Sequence, residues 1–359
     1  MNNRLETIIS RNVDSIKNKW NNSIVGIYLA GSYSTKKMSE VFDIDLHAIV
    51  DTQKISPFTY NIRTSRYGTL INMPLEFTVR LISDSEVTAL IEWGFMPLNS
   101  FSVFDKLIKS HDQFACSSNL YHGRILYDPH SFLYNLRIKI EENFNKPEYI
   151  RSRIDYVFSL AQTSLHNFKH KPTKLKHYIS SVWDGPLWAL MSIGNLVLTR
   201  RCITPTFRKH LILVKQELMK MCLESYYERL LKTWGIYDIS EDEAKTAFEN
   251  MKIIYGRTIR EFGLEKRSMH PFMYQYWIKG IGEMIQSGYA KESIFATIFI
   301  MCKCARIIER SQLHGRNNLL SFCIELLNHL GFDISDGCKH KMNEINGLID
   351  EFYTLLRLC

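Results

Sequence analysis

The sequence predicts an α+β protein, with strands and helices interleaved up to about residue 130 and helices alone beyond it. Two observations carry this. Short runs rich in β-branched and apolar residues, SIVGIYLAG, DIDLHAIV and PLEFTVRLIS, are confined to the first hundred residues. After residue 130 the apolar residues recur at helical spacing through segment after segment.

Taken in order, Leu5, Ile8, Ile9, Val13, Ile16 and Trp20 share one helical face, and Asn21 to Ser23 end that pattern. SIVGIYLAG follows as a buried strand closing on a glycine. Residues 43–50 and 74–83 read as further strands, separated by polar material and a hairpin around Arg66, Tyr67 and Gly68. SEVTALIEWGF is expected to return to helix. FLYNLRIKIEENF, EYIRSRIDYVFSLAQTSLHNF, HYISSVWDGPLWALMSIGNLVLTRR, FRKHLILVKQELMKMC, EDEAKTAFENMKIIYGRTIREF and MNEINGLIDEFYTLLRL all read as helices. Turns are expected at Asn145 to Pro147, Pro205, Gly263 and Gly337, and no repeat or low-complexity linker interrupts them. The expected domains are 1–130 and 131–359.

A chain of 359 residues, 45% hydrophobic and 23% charged, has enough apolar material for two cores. Its net charge of +8 favours anionic ligands such as nucleotides without demanding a nucleic-acid groove. The start, MNNRLETIISRNVDSIKNKW, lacks the pattern of a signal peptide, so a cytoplasmic location is expected. SIFATIFIMCKCARII is too short to span a bilayer and carries Lys303 and Arg306, so it is expected to be a core helix, with no membrane role. The eight cysteines are scattered without metal-type spacing and read as reduced, mostly buried thiols; Cys302 and Cys304, two apart on a helix, point to different faces.

The chemistry gathers in the strand DIDLHAIV. Alternation puts Asp43 and Asp45 on one side and turns Ile44 and Leu46 toward the core. Two like charges so close raise each other's pKa unless a cation lies between them, and a hard divalent ion such as Mg²⁺ satisfies both. Mg²⁺ held by few carboxylates commonly shares itself with substrate phosphates. Gly31 and Ser32, at the end of the preceding strand, suit close approach of a phosphate to backbone N–H groups. Glu76, in the apolar setting PLEFTV, is the expected third carboxylate, and three acids from two strands can hold two metals.

Gly31-Ser32 followed by Asp43-x-Asp45 and a downstream strand acid resembles the polymerase-β-type nucleotidyltransferase superfamily, and most of all its antibiotic-modifying members acting on aminoglycosides and lincosamides. LYDP at 126–129, before a helix, is similar to the segment by which those enzymes leave the catalytic domain. The resemblance covers residues 1 to about 140. It implies a small mixed sheet flanked by helices as the catalytic domain, followed by a helical acceptor-binding domain. It also implies two Mg²⁺ ions, with Mn²⁺ as an alternative, and an NTP donor, ATP being expected. The activity implied is transfer of a nucleoside monophosphate to a hydroxyl of a small acceptor, an antibiotic or a biosynthetic intermediate, with release of pyrophosphate. Asp43, Asp45 and Glu76 are then the metal ligands and catalytic acids, Glu76 also accepting the acceptor's proton, while Gly31 and Ser32 bind the β- and γ-phosphates.

Phe42 stands where the family commonly has Ser, on the side facing away from the metals. Lys36 and Lys37 are candidate phosphate contacts, as are Arg208 and Lys209 in TFRKHL of the helical half. His47 is expected to be structural and Arg80 to form an ion pair. VWDGPLWAL with Asp184, and HPFMYQYW, are candidates for the acceptor pocket, although helical aromatics more often pack in cores. Three alternatives keep the chemistry and change the acceptor to RNA, to a nucleotide as in a second-messenger synthase, or to a protein. A fourth is a silent nucleotide-binding or toxin–antitoxin partner protein. Both monomer and homodimer fit the resemblance.

Overall fold

The computed structural model describes residues 2–31, 43–55, 61–65, 68–72, 79–83, 88–102, 104–109, 111–169, 178–262, 271–309, 311, 316–332 and 338–358. Two compact units make up the chain, Met1–Arg153 and Ile154–Cys359.

The first unit opens with α1 (Asn2–Trp20), β1 (Ile24–Ala30), β2 (Asp43–Val50), β3 (Asn61–Ser65), β4 (Gly68–Asn72), β5 (Val79–Ser83) and β6 (Thr88–Pro97). Then come α2 (Phe104–Lys109), α3 (His111–His122), β7 (Arg124–Tyr127), α4 (Phe132–Asn143) and the start of α5 (Pro147–Lys169). Five strands form one mixed sheet in the order β5-β6-β2-β1-β7, in which only β2 and β6 run parallel. The expected hairpin is present as β3 and β4, with Ser65 opposite Gly68.

Hydrophobic patterning explains how this sheet is covered. The α1 stripe Leu5, Ile8, Ile9, Val13 and Ile16 packs with Ile27 and Leu29 of β1, Ile44 and Leu46 of β2, and Ile91, Trp93 and Phe95 of β6. Trp20 meets Phe95 edge to face, with ring centroids 5.1 Å apart.

From Thr88 onward SEVTALIEWGF is a strand, not the expected helix. Its second part lies in β6, because Ile91, Trp93 and Phe95 alternate with Glu92 and Gly94, a two-residue period that puts three large apolar side chains into the core. The residues Leu133, Leu136 and Ile140 of α4 are buried too, and Leu133 fills the space beside Gly26 of β1, so α4 packs within the first unit. Asp128 of the LYDP segment starts this helix by accepting a 2.9 Å hydrogen bond from the backbone N–H of Tyr134.

Helices are the only regular elements among the described residues of the second unit. It contains the rest of α5, α6 (Tyr178–Val182), a π-helical turn at Trp183–Leu187, α7 (Trp188–Arg200), α8 (His210–Lys220) and α9 (Glu224–Trp234). Following these are α10 (Glu241–Phe262), α11 (Pro271–Gln286), α12 (Ala290–Ile308), α13 (Arg316–His329) and α14 (Lys339–Leu358). Pro186 sits inside the π turn, where a missing N–H is absorbed by the widened spiral. Helix α7 is buried on every side from Ala189 to Thr199, and α12 nearly so, which marks them as the centre of this unit. Among the described residues no helix is long and apolar enough to cross a membrane.

Of the six cysteines whose side chains are described, all free, four are buried; Cys302 and Cys323 lie Sγ to Sγ at 3.8 Å, while Cys222 is exposed.

Candidate metal and phosphate site

The sheet register assembles a carboxylate pair. Asp45 lies opposite Ala30 of β1 on one side and Glu92 of β6 on the other. Neighbouring strands run roughly 4.8 Å apart, and residues in parallel register project from the same face, so the two acids are immediate neighbours. Their apolar flanks Ile44, Leu46, Ile91 and Trp93 are buried on the opposite face, against α1. Asp45 and Glu92 are only half-buried. Asp43 opens β2 in register with Leu90.

Gly31 closes this arrangement. Its φ of +71° lies in the left-handed region, and a Cβ built there would come 1.9 Å from Oδ2 of Asp45. The Asp45 carboxylate therefore occupies the volume that any other residue at position 31 would need. Strand β1 thus ends with its backbone pressed against a carboxylate.

The same face continues to His47. Its ring stacks on Tyr28 with centroids 5.1 Å apart and lies over Gly94, whose added Cβ would approach Nδ1 to 2.8 Å. These contacts make His47 a packed member of the sheet. Arg80 belongs to β5, in register with Ile91.

Ser32, Lys36, Lys37 and Glu76 lie outside the described residues. Arg208 and Lys209 belong to the second unit. Arg208 donates to the carbonyl of Tyr276 at 3.2 Å, sits 4.3 Å over that residue's ring, and covers Gly280, so its guanidinium joins α11 to the segment preceding α8. Lys209 is exposed just before α8. Asp184 on the π turn is paired with Arg306 at 3.4 Å. Trp183, Trp188, Phe207, Trp277 and Phe299 form a contiguous aromatic cluster nearby.

Glu92 was missed by sequence reasoning. Its signal was present in the two-residue alternation from Ile91 to Phe95, and reading that stretch as a strand would have put an acid on a second strand without reference to Glu76.

Among the described residues, whose side chains do not include those of Asp43 and Glu76, no three His, Cys, Asp or Glu groups gather as metal ligands. The described donors are two carboxylates, hard oxygen ligands of the kind Mg²⁺ takes when substrate phosphates and water complete its shell. Hard carboxylate oxygens on adjacent strands, one of them packed against Gly31, which has no side chain, fit that ion.

No family model matches the chain, and no curated protein does. Among solved structures, a nucleotidyltransferase-like protein from Exiguobacterium sibiricum 255-15 aligns over 92% of this chain and 92% of its own, at 12% identity and a TM-score of 0.33.

Proposed function

We propose that the first unit transfers a nucleoside monophosphate from an NTP, ATP by preference, to a hydroxyl of a small-molecule acceptor with release of pyrophosphate. The observation that carries this reading is the Asp45 carboxylate seated against Gly31 with Glu92 beside it in parallel register. Two acids side by side on paired strands, next to a glycine without a side chain, suit a divalent cation shared with a phosphate ligand.

Asp43 and Asp45 would hold Mg²⁺, and we assign the third carboxylate to Glu92, with Glu76 as the competing assignment. When bound, Mg²⁺ neutralises the triphosphate and polarises the attacking hydroxyl. Gly31 and Ser32 present backbone and hydroxyl donors to the outer phosphates. The acceptor oxygen forms its bond to the α-phosphorus as the bond to pyrophosphate breaks, and the hydroxyl proton passes to the third carboxylate. The strands supply alignment: β2 and β6 fix the two acids relative to each other before any ligand arrives.

The test measures pyrophosphate release from each NTP with Mg²⁺ and a panel of aminoglycosides, lincosamides, short RNAs and metabolite extract, in the native chain and in Asp45→Asn. Release that requires both an acceptor and Asp45 supports the reading and identifies the acceptor class. Release that survives Asp45→Asn rejects it.

A further inference from the structure

On the second unit, α10, α11 and α13 enclose a surface cleft of about 500 Å³ lined by Lys252, Ile253, Gly256, Arg257, Arg260, Tyr274, Asn318 and Leu319. Three of these are cations and none is an acid. Lys252, Gly256 and Arg260 recur at four-residue spacing on α10, so two positive charges flank a position with no side chain. A Cβ at Gly256 would meet only the ring edge and hydroxyl of Tyr274, at 3.8 and 3.9 Å, so the floor between the cations is open. Ile253, 52% exposed, together with Leu319 and the Tyr274 ring, adds apolar and aromatic surface.

The charges are available to a ligand. Among the described residues, Lys252 and Arg257 form ion pairs with Glu249 and Glu261 of the same helix, of a kind that contributes little in water and exchanges readily, and Lys252 also lies over the Phe248 ring. Arg260 is exposed and forms no ion pair among the described residues. The volume is that of a small-molecule site, and from Lys252 to Arg260 the helix rises only about 12 Å, too little for a nucleic-acid track but enough for one phosphate and one ring.

We propose that this cleft binds a small phosphate monoester with a planar body, the phosphate held by Arg260 and Lys252 and the ring lying over Gly256 against Tyr274. The site is independent of the transfer reaction assigned to the first unit.

Phenyl phosphate tests it, titrated against the full chain in EDTA by calorimetry, beside inorganic phosphate, phenol and a ten-nucleotide single-stranded RNA. Phenyl phosphate is expected to bind more tightly than phosphate or phenol. Arg260→Glu should weaken it roughly tenfold or more, as loss of a charge-assisted hydrogen bond and its reversal require. Gly256→Leu, which fills the floor, should do the same, while Asp45→Asn should leave binding intact. Arg260 is exposed and Gly256 partly so, and melting temperatures no lower than that of the native chain check the fold. The assignment is overturned if Arg260→Glu and Gly256→Leu bind phenyl phosphate normally, or if binding is lost in Asp45→Asn instead. It is also overturned if RNA binds in an Arg260-dependent way and phenyl phosphate does not.

Discussion

Asp45 and Glu92 stand in register on the two parallel strands of an otherwise antiparallel sheet, and they come from opposite sides of a long intervening segment. Their pairing turns on backbone hydrogen bonding, which neither side chain can alter by changing rotamer.

If Glu92 is the third acid, Glu92→Gln keeps the shape of the side chain and removes its charge. Acceptor-dependent pyrophosphate release is expected to fall by at least about a hundredfold, the scale of a lost acid–base or metal-binding carboxylate. Glu76→Gln, assayed in parallel, should change release by less than a few-fold. The opposite ranking would transfer the role to Glu76.

Gly31→Ala places a methyl group where the Asp45 carboxylate lies and forces an L-residue to a φ of +71°. Chemical denaturation should register a loss of about 1–3 kcal/mol from the backbone strain and the displaced carboxylate. Transfer activity should fall further than stability does, because the same carboxylate is the one displaced. Full activity in this variant would show that Asp45 is not used as positioned.

His210 predicts a pH dependence confined to the helical unit. It is fully buried, stacked on Phe295 with its Nε2 against Gly194, and burial pulls its pKa from 6.5 to about 4, opposed only in part by its hydrogen bond to the Met191 backbone. The folded state thus takes up this proton less readily than the unfolded chain. Above about pH 6.5 neither state is charged and His210 has no effect. As pH falls from about 6.5 toward 4 the unfolded state is favoured progressively, by roughly 2 kcal/mol between pH 7 and pH 5. Urea titrations at those two pH values should show that difference, and His210→Phe should remove most of it whatever its stability at neutral pH.

Gly256→Ala should stabilise the chain. The added methyl meets Tyr274 at ordinary contact distance, and alanine in a helix interior is favoured over glycine by about 0.5–1 kcal/mol. A melting temperature that falls instead would mean that the space over Gly256 is already filled.

How far these features could be read from the sequence depended on whether local spacing alone determined them. The α1 stripe, β1 and the inward turn of Ile44 and Leu46 all follow from periodicity within one element, and the structure has them so. Strand β6 was hidden because Ala89, Leu90 and Glu92 are good helix formers, and its strand identity comes from pairing with β2 and β5. Glu92 was hidden with it. In the helical half, Asp184, a candidate for the acceptor pocket, pairs with Arg306, more than a hundred positions later. Arg208, a candidate phosphate contact, is engaged with Tyr276. In each case the partner lay on another element, beyond the reach of spacing.

The parallel join of β2 to β6 also bears on how kin of this chain are to be recognised. Parallel neighbours require a crossover, and here residues 51–87, which include the separate β3–β4 hairpin and the edge strand β5, make it. Each doubling of a connecting loop costs only about 0.6 kcal/mol in closure entropy, so this excursion can lengthen or shrink while the two strands keep their alignment. The interval between Asp45 and Glu92 is thus a poor ruler, and a second acid in such a chain is better sought by counting along the strand that docks beside the first.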